Sequence, residues 1–352
     1  MTTTHKILFL GATGYLGGVV LDILLKHPQA KVLDITLFVT TEAKAKACSA
    51  LGLKAIHGSW TDLENAAAES SVIFNMASSD ILPMTEAVLA GAKRFFDRTR
   101  VVPVLIHTSG TAIVMDGAMG KHGTNRIYDD VADEEYLANL PIEVFHRPVD
   151  IAITEAHKAG YLKAYIVAPP LIWGLAKGIL VDAGISNPVT TVLLVMSRFC
   201  IRRGTFGFVG EFANILSTIE VHDLARLFIT LFDATVIEKR DVACGPVYYF
   251  ASNGDVVAKE FFSKLAEALY KHGALKSGEI TQYTEEEIKQ YPVLPGFAVN
   301  TRVTATRSRS LGWKPVRTEN DLLSDVEEQV RVMLSQKDDT FGASWGRWDT
   351  SN

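Results

Sequence analysis

The segment Gly11-Ala12-Thr13-Gly14-Tyr15-Leu16-Gly17 has a glycine at every third position. It follows an apolar run at 6–10 and precedes a stretch, 19–26, with helical apolar spacing. Strand, glycine turn and helix in that order form the setting in which free N–H groups at a helix start can cradle a pyrophosphate. Gly11 would permit the tight turn, Gly14 the approach of phosphate to backbone, and Gly17 the packing of helix on strand. The chemistry this predicts is binding of a dinucleotide, NAD(H) or NADP(H), with Thr13, Tyr15 and Leu16 also at the phosphates. The next strand, 35–39, runs into Thr40 and Thr41. Sites that select NAD usually carry Asp or Glu at that point, on the ribose hydroxyls. Here only Glu42 is close; Thr40, Thr41 and Lys44, with Lys46 beyond, suit a 2′-phosphate, so NADP is predicted over NAD. The ordinary alternative is that the lysines solvate a helix face.

A second group of residues could move protons. His146-Arg147-Pro148-Val149-Asp150 combines an imidazole, which titrates near neutrality, with a carboxylate four residues on. On one helix face Asp150 would orient the His146 ring. Pro148, however, is typical of a first helical turn. In that case His146 lies at or before the cap and Asp150 simply complements the helix dipole. Arg147 is read either as a contact to ribose or an acidic substrate, or as a solvated side chain. Ser109 and Thr111 follow an apolar run at 104–107 and stand where α/β sites form, at strand C-termini. Either hydroxyl suits a substrate carbonyl; turn chemistry around Gly110 is the alternative. Tyr128, before Asp129 and Asp130, is a substitute proton donor or a loop anchor, and His122 a weaker candidate of the same kind. His222 and Asp223 precede a helical run at 224–232, with Asp223 read as its cap. Phe199, Phe206, Phe208 and Phe212 suggest an apolar substrate lobe, or ordinary core.

The elements that must position these residues alternate. Strand-like runs at 6–10, 35–39, 54–57, 72–76 and 104–107 are separated by helical stretches at 19–26, 43–51 and 85–94. That rhythm implies crossover connections and a parallel sheet. The predicted class is α/β: a doubly wound parallel Rossmann sheet with a smaller, interwoven C-terminal substrate lobe. The predicted division is 1–175 for the dinucleotide-binding domain, with segments returning around 213–250; 176–335 for the lobe; and a polar tail at 336–352 that includes Trp345 and Trp348.

Composition narrows the class of partner. With 352 residues, 48% hydrophobic and 21% charged, the chain suits a globular protein. A formal charge of −5 and no basic block argue against nucleic acid. Cys48, Cys200 and Cys244 are odd in number and far apart, which argues against a disulfide framework and a metal site. Residues 1–5 lack a basic stretch leading into a cleavable apolar run. The apolar run at 189–196 is too short to span a bilayer and is followed by Arg198, Arg202 and Arg203. The expectation is a cytoplasmic protein acting on a small molecule, with no membrane and no nucleic-acid partner.

Taken in order, these motifs resemble the extended, epimerase-like branch of the short-chain dehydrogenase/reductases, near its NmrA-like members. The resemblance rests on residues 11–17, Gly58-Ser59-Trp60-Thr61-Asp62, Asn75-Met76-Ala77-Ser78, His107-Thr108-Ser109-Gly110-Thr111, Ala168-Pro169-Pro170-Leu171-Ile172-Trp173-Gly174, Ile219-Glu220-Val221-His222-Asp223-Leu224-Ala225 and Leu311-Gly312-Trp313-Lys314-Pro315. It implies that Ser59 and Trp60 lie at the adenine, although the family often has Asp where Ser59 stands. It also implies that Met76, Ala77, Ser78 and Thr108 line the cofactor, and that Pro169, Pro170 and Ile172 lie beside the nicotinamide. The family's Tyr-x-x-x-Lys is missing between Pro141 and Glu155: its tyrosine position holds His146 or Arg147, and its lysine position Asp150 or Ile151. The resemblance therefore implies an NAD(P)(H)-dependent oxidoreductase reducing a small carbonyl or activated alkene with a non-standard proton donor. A redox-neutral epimerase, isomerase or dehydratase and a cofactor-sensing regulator are the alternatives. A paired-helix homodimer is common in that superfamily.

Overall fold

The computed structural model describes residues 4–336. Seven strands form the central sheet: β1 His5–Leu10, β2 Leu33–Phe38, β3 Lys54–Ile56, β4 Val72–Asn75, β5 Val104–Thr108, β6 Lys163–Ala168 and β7 Tyr248–Phe250. Their order is β7-β6-β5-β4-β1-β2-β3, with every pairing parallel. Ile7, Leu8, Phe9 and Leu10 in β1 and Val72, Ile73 and Phe74 in β4 are all buried. Such unbroken apolar runs are required when helices cover both sheet faces. Strand order reverses between β1 and β4, which opens the crevice where α/β proteins bind ligands.

Six helices matter for the site: α1 Tyr15–Leu25, α2 Glu42–Ala50, α3 Trp60–Ala67, α4 Leu82–Thr99, α5 Arg147–Lys158 and α6 Val221–Phe232. α1 packs on α6, and α4 on α5. α3 was not anticipated as a helix. Ser59 caps it in a capping box with Asp62: the Ser59 N–H donates to Asp62 Oδ2 at 2.8 Å. That pairing satisfies N–H groups the helix start would otherwise leave free.

The chain after β6 weaves a second layer. Leu171–Trp173 pairs parallel with Ile215–Glu220, which pairs antiparallel with Asp255–Val257. Helices Ala258–Lys271 and Glu319–Ser335 pack together over a second core built from Trp173, Phe206, Phe212, Phe261 and Phe262. Phe199, Phe206 and Phe212 are buried in lobe cores, so the aromatic group serves packing. The apolar run at 189–196 enters helix Thr191–Arg203, where Leu193, Val195 and Met196 are buried. The chain then returns to the main body through α6 and β7. No helix of the described residues is long and apolar enough to cross a membrane. The tail with Trp345 and Trp348 lies outside the described residues.

Candidate active site

The three loop glycines have different reasons to be glycine. Gly11 has φ +82°, and a Cβ there would stand 2.4 Å from the Met76 carbonyl oxygen. At Gly17 a Cβ would stand 2.1 Å from the Gly11 oxygen. The fold itself demands both. Gly14 has φ −87° and is exposed, and a Cβ there would meet only the Gly11 oxygen, at 3.1 Å. It is also the N-cap of α1, with no side chain bonding to the helix start. The open space in front of Gly14 and the unclaimed N–H groups behind it fit a dinucleotide pyrophosphate. Two bonds strap the lobe to this loop. The Tyr15 hydroxyl donates to the Gly174 oxygen at 2.6 Å, and the Ser186 hydroxyl to the Gly14 oxygen at 2.7 Å. Burial, then the charge of Glu220, push the Tyr15 phenol well above its ordinary range.

The adenine end is more open. Thr41 caps α2, its hydroxyl accepting the Lys44 N–H at 3.2 Å, and Thr40 is exposed. Glu42 pairs with Lys46 at 2.7 Å, which leaves Lys44 as the cation at the helix start. Ser59 bonds Asp62 as the cap described above, and Trp60 is exposed. Met76 and Ala77 close on Gly11, while the Ser78 hydroxyl accepts the Asp80 N–H at 3.2 Å.

Where β4, β5 and β6 end, the structure forms an acid–base pair. His146 is the N-cap of α5, with φ +66°. Its Nδ1 lies 2.8 Å from Asp80 Oδ1, in the loop after β4. The Ser79 hydroxyl donates to the other Asp80 oxygen at 3.0 Å. Partial burial raises the Asp80 carboxyl, but its hydrogen bond to His146 and the charge of that ring outweigh burial and hold it below the usual range. The opposite ring edge faces Gly110. A Cβ on Gly110 would stand 2.9 Å from His146 Nε2, so only glycine lets the ring in. The Ser109 N–H donates to the Val167 oxygen and the Thr111 N–H to the Pro169 oxygen, at 2.8 and 3.0 Å. These bonds tie the two loops around Nε2 together. Pro169 and Pro170 are buried, and Ile172 packs partly buried against the main core.

Beneath the pair lies a polar network. Asp150 is fully buried. Its Oδ2 accepts from the Ser109 hydroxyl at 2.8 Å and the Tyr248 hydroxyl at 2.9 Å. Burial pushes its pKa up to about 6 against the downward pull of those bonds. His107 Nε2 lies 3.8 Å from Asp150 Oδ1, and burial pushes that imidazole down to about 3. Asn75, Thr85 and both ring nitrogens of His107 have no protein partner there.

Several expectations are thereby corrected. Asp150 does not orient His146: α5 begins after His146, so Asp150 turns inward and Asp80 takes the ring. Arg147 does not reach toward the cofactor loop but is buried against Leu140, Ala138 and Tyr248. The Ser109 hydroxyl is directed to Asp150 in the interior. Tyr128 pairs with the lobe strand Val303–Thr304 and stacks on Tyr136, the part of an anchor. His122 is exposed with its ring on the Gly123 oxygen. Glu220, not Asp223, caps α6 by accepting the His222 and Asp223 N–H groups. Asp223 instead accepts from Val316 and Arg317. Asp80 was missed because 66 residues separate it from His146; its position past the fourth strand was the available signal. Tyr248, on the distant β7, gave no local signal. Among the described residues no group of three His, Cys, Asp or Glu could hold a metal ion.

No family model and no curated protein matches this chain. Solved structures do. A dTDP-glucose 4,6-dehydratase from Bacillus anthracis in complex with NAD shares 13% identity at a TM-score of 0.61, covering 95% of this chain and 98% of that one. A UDP-glucose 4-epimerase from Thermotoga maritima with UDP-glucose shares 13% at 0.59, covering 94% and 100%. A UDP-glucuronic acid 4-epimerase variant from Bacillus cereus, in complex with a UDP-sugar analogue and NAD, shares 13% at 0.61, covering 94% and 100%. The chain thus has the fold of the extended short-chain dehydrogenase/reductases, a seven-stranded parallel Rossmann sheet with an interwoven lobe. Within that fold, a histidine and an aspartate, His146 and Asp80, meet at the strand ends.

Proposed function

We propose that this protein is an NAD(P)(H)-dependent oxidoreductase of the extended short-chain type, acting on a small carbonyl compound, with His146 as its acid–base residue. The observation that carries this reading is the His146–Asp80 contact of 2.8 Å at the strand ends, with Nε2 turned to the loops that enclose the crevice. The glycine loop at Gly11, Gly14 and the start of α1 would hold a nicotinamide dinucleotide, whose reduced form would supply the hydride. The chain then has one proton to deliver. With Nδ1–H donated to Asp80, Nε2 of the imidazolium is the group that protonates the carbonyl oxygen. Asp80 stabilises that cation before transfer and fixes the tautomer afterwards. The straps from Tyr15 and Ser186 hold the lobe over the glycine loop and limit water there. Lys44 and the start of α2 support NADP(H), because Val39, Thr40 and Thr41 follow β2 directly and the nearest carboxylate, Glu42, is paired with Lys46.

A redox-neutral epimerase or dehydratase is the second reading. It is favoured by the activities named for the compared structures and by the two straps, which suit a cofactor retained through the cycle. The same histidine would then take a proton from a hydroxyl and later return one.

Consumption of NADPH at 340 nm against a carbonyl panel, with wild type and His146→Gln, tests the proposal. The expected result is turnover that falls about 100-fold or more in the variant, within the range for a general acid, with NADPH affinity kept. Turnover unchanged in His146→Gln would remove the histidine from the chemistry. Tight binding without NADPH consumption would favour the redox-neutral reading.

A further inference from the structure

A charged cavity lies between α5 and the edge strand β7. It encloses about 240 Å³ and is lined by Arg147, Ile151, Thr154, Lys158 and Tyr248, with Glu155 at its wall. That is far above the roughly 15 Å³ a single water needs. Arg147 is 5% exposed. Its Nε donates to the Leu140 oxygen at 3.1 Å, Nη2 to the Ala138 oxygen at 3.1 Å and Nη1 to the Tyr248 hydroxyl at 2.8 Å. All three acceptors are neutral. Among the described residues no carboxylate stands within ion-pair distance of this guanidinium. Asp150 is reached only through Tyr248, whose hydroxyl accepts from Arg147 and donates to the carboxylate. Glu155 is engaged by Lys158 at 2.9 Å.

A buried charge ordinarily has a charged partner, because removing it from water unpaired is costly. Arg147 uses three of the five N–H groups a guanidinium carries. Its planar fork matches the paired oxygens of a carboxylate or phosphate. Lys158 and Glu155 at the cavity wall offset each other, which leaves the Arg147 charge uncompensated there. We infer that this cavity is a binding site for a small oxyanion, a phosphate or short carboxylate, with Arg147 as its counter-ion. The proposal does not rest on the reaction proposed above: Arg147 follows His146 in the chain, but its side chain turns to Leu140, Ala138 and Tyr248 and bonds neither the His146 ring nor the glycine loop.

The test is the melting temperature of the full chain in sodium phosphate against sodium chloride at matched ionic strength. The account expects a saturable rise in phosphate alone, about 2 °C at tenfold excess over Kd. Arg147→Met should lose it. Because Arg147 also holds two loop carbonyls, that variant could fail to fold, so Ile151→Glu provides a second arm. It adds a carboxylate one turn along α5 on the same cavity and should keep the fold while abolishing the phosphate response. Gly14→Val, at the other phosphate-binding end of the molecule, should leave the response intact. The inference is overturned if phosphate acts no differently from chloride. It is equally overturned if Ile151→Glu or a folded Arg147→Met keeps the full response, or if Gly14→Val removes it.

Discussion

A histidine serves as a directional acid when one ring nitrogen is fixed and the other is presented, and Asp80 does the fixing for His146. The residue-scale prediction follows from charge. Asp80→Asn keeps a hydrogen-bond acceptor but removes the negative charge beside Nδ1. The expected outcome is a fall of about tenfold in reductive kcat at neutral pH. NADPH affinity should be unchanged. A kcat equal to that of wild type would contradict the pairing. His146 was legible from its chemistry and its place before a helix. Asp80 was not, because a contact across 66 residues leaves no periodic trace. The sequence pattern offered Asp150 as the neighbour, but the left-handed backbone at His146 turns the helix so that Asp150 faces the sheet.

At the scale of elements, α5 docks on the sheet through a carboxyl group rather than an apolar side chain alone. Asp150 titrates near pH 6 in the folded protein against an ordinary value of 3.8. The folded state therefore binds this proton more tightly than the unfolded chain does. Its contribution favours folding at low pH and is lost as pH rises through about 6. Two pH units correspond to about 3 kcal/mol. Asp150→Asn removes that titration, so between pH 4 and pH 8 its stability should gain on wild type by up to about 3 kcal/mol. His107 acts in the opposite sense, since an imidazole held down to about 3 favours folding above pH 6.5, and it is present in both proteins. Urea unfolding of the pair at the two pH values measures it, and a pH-independent difference would show that Asp150 does not titrate in the folded state. Elements made by local pattern were readable: β1, the glycine turn and α1 are contiguous, and their apolar spacing switches from strand to helix within a dozen residues. α3 was passed over although Ser59 and Asp62 carry its capping box, since the segment was read by resemblance instead.

At the scale of the whole molecule, the doubly wound sheet was legible because every crossover repeats one rhythm. The lobe was only outlined. Its strands at Leu171–Trp173 and Asp255–Val257 are three residues long and pair with Ile215–Glu220 across tens of residues, so their register is set by tertiary packing. The same packing straps Gly174 and Ser186 onto the loop at Tyr15 and Gly14. The central claim is that this assembly holds a nicotinamide dinucleotide at that loop. Gly14 separates ligand from fold better than Gly11 or Gly17, because its φ of −87° suits any residue and a Cβ would crowd only the Gly11 oxygen, at 3.1 Å, while a bound pyrophosphate would need that space. The most direct measurement is a calorimetric titration of NADPH and NADH into wild type and Gly14→Val, with melting curves to show that both are folded. The account predicts saturable binding to wild type, tighter for NADPH, and none to a folded Gly14→Val. Equal binding to the two proteins, or none to wild type, would contradict it.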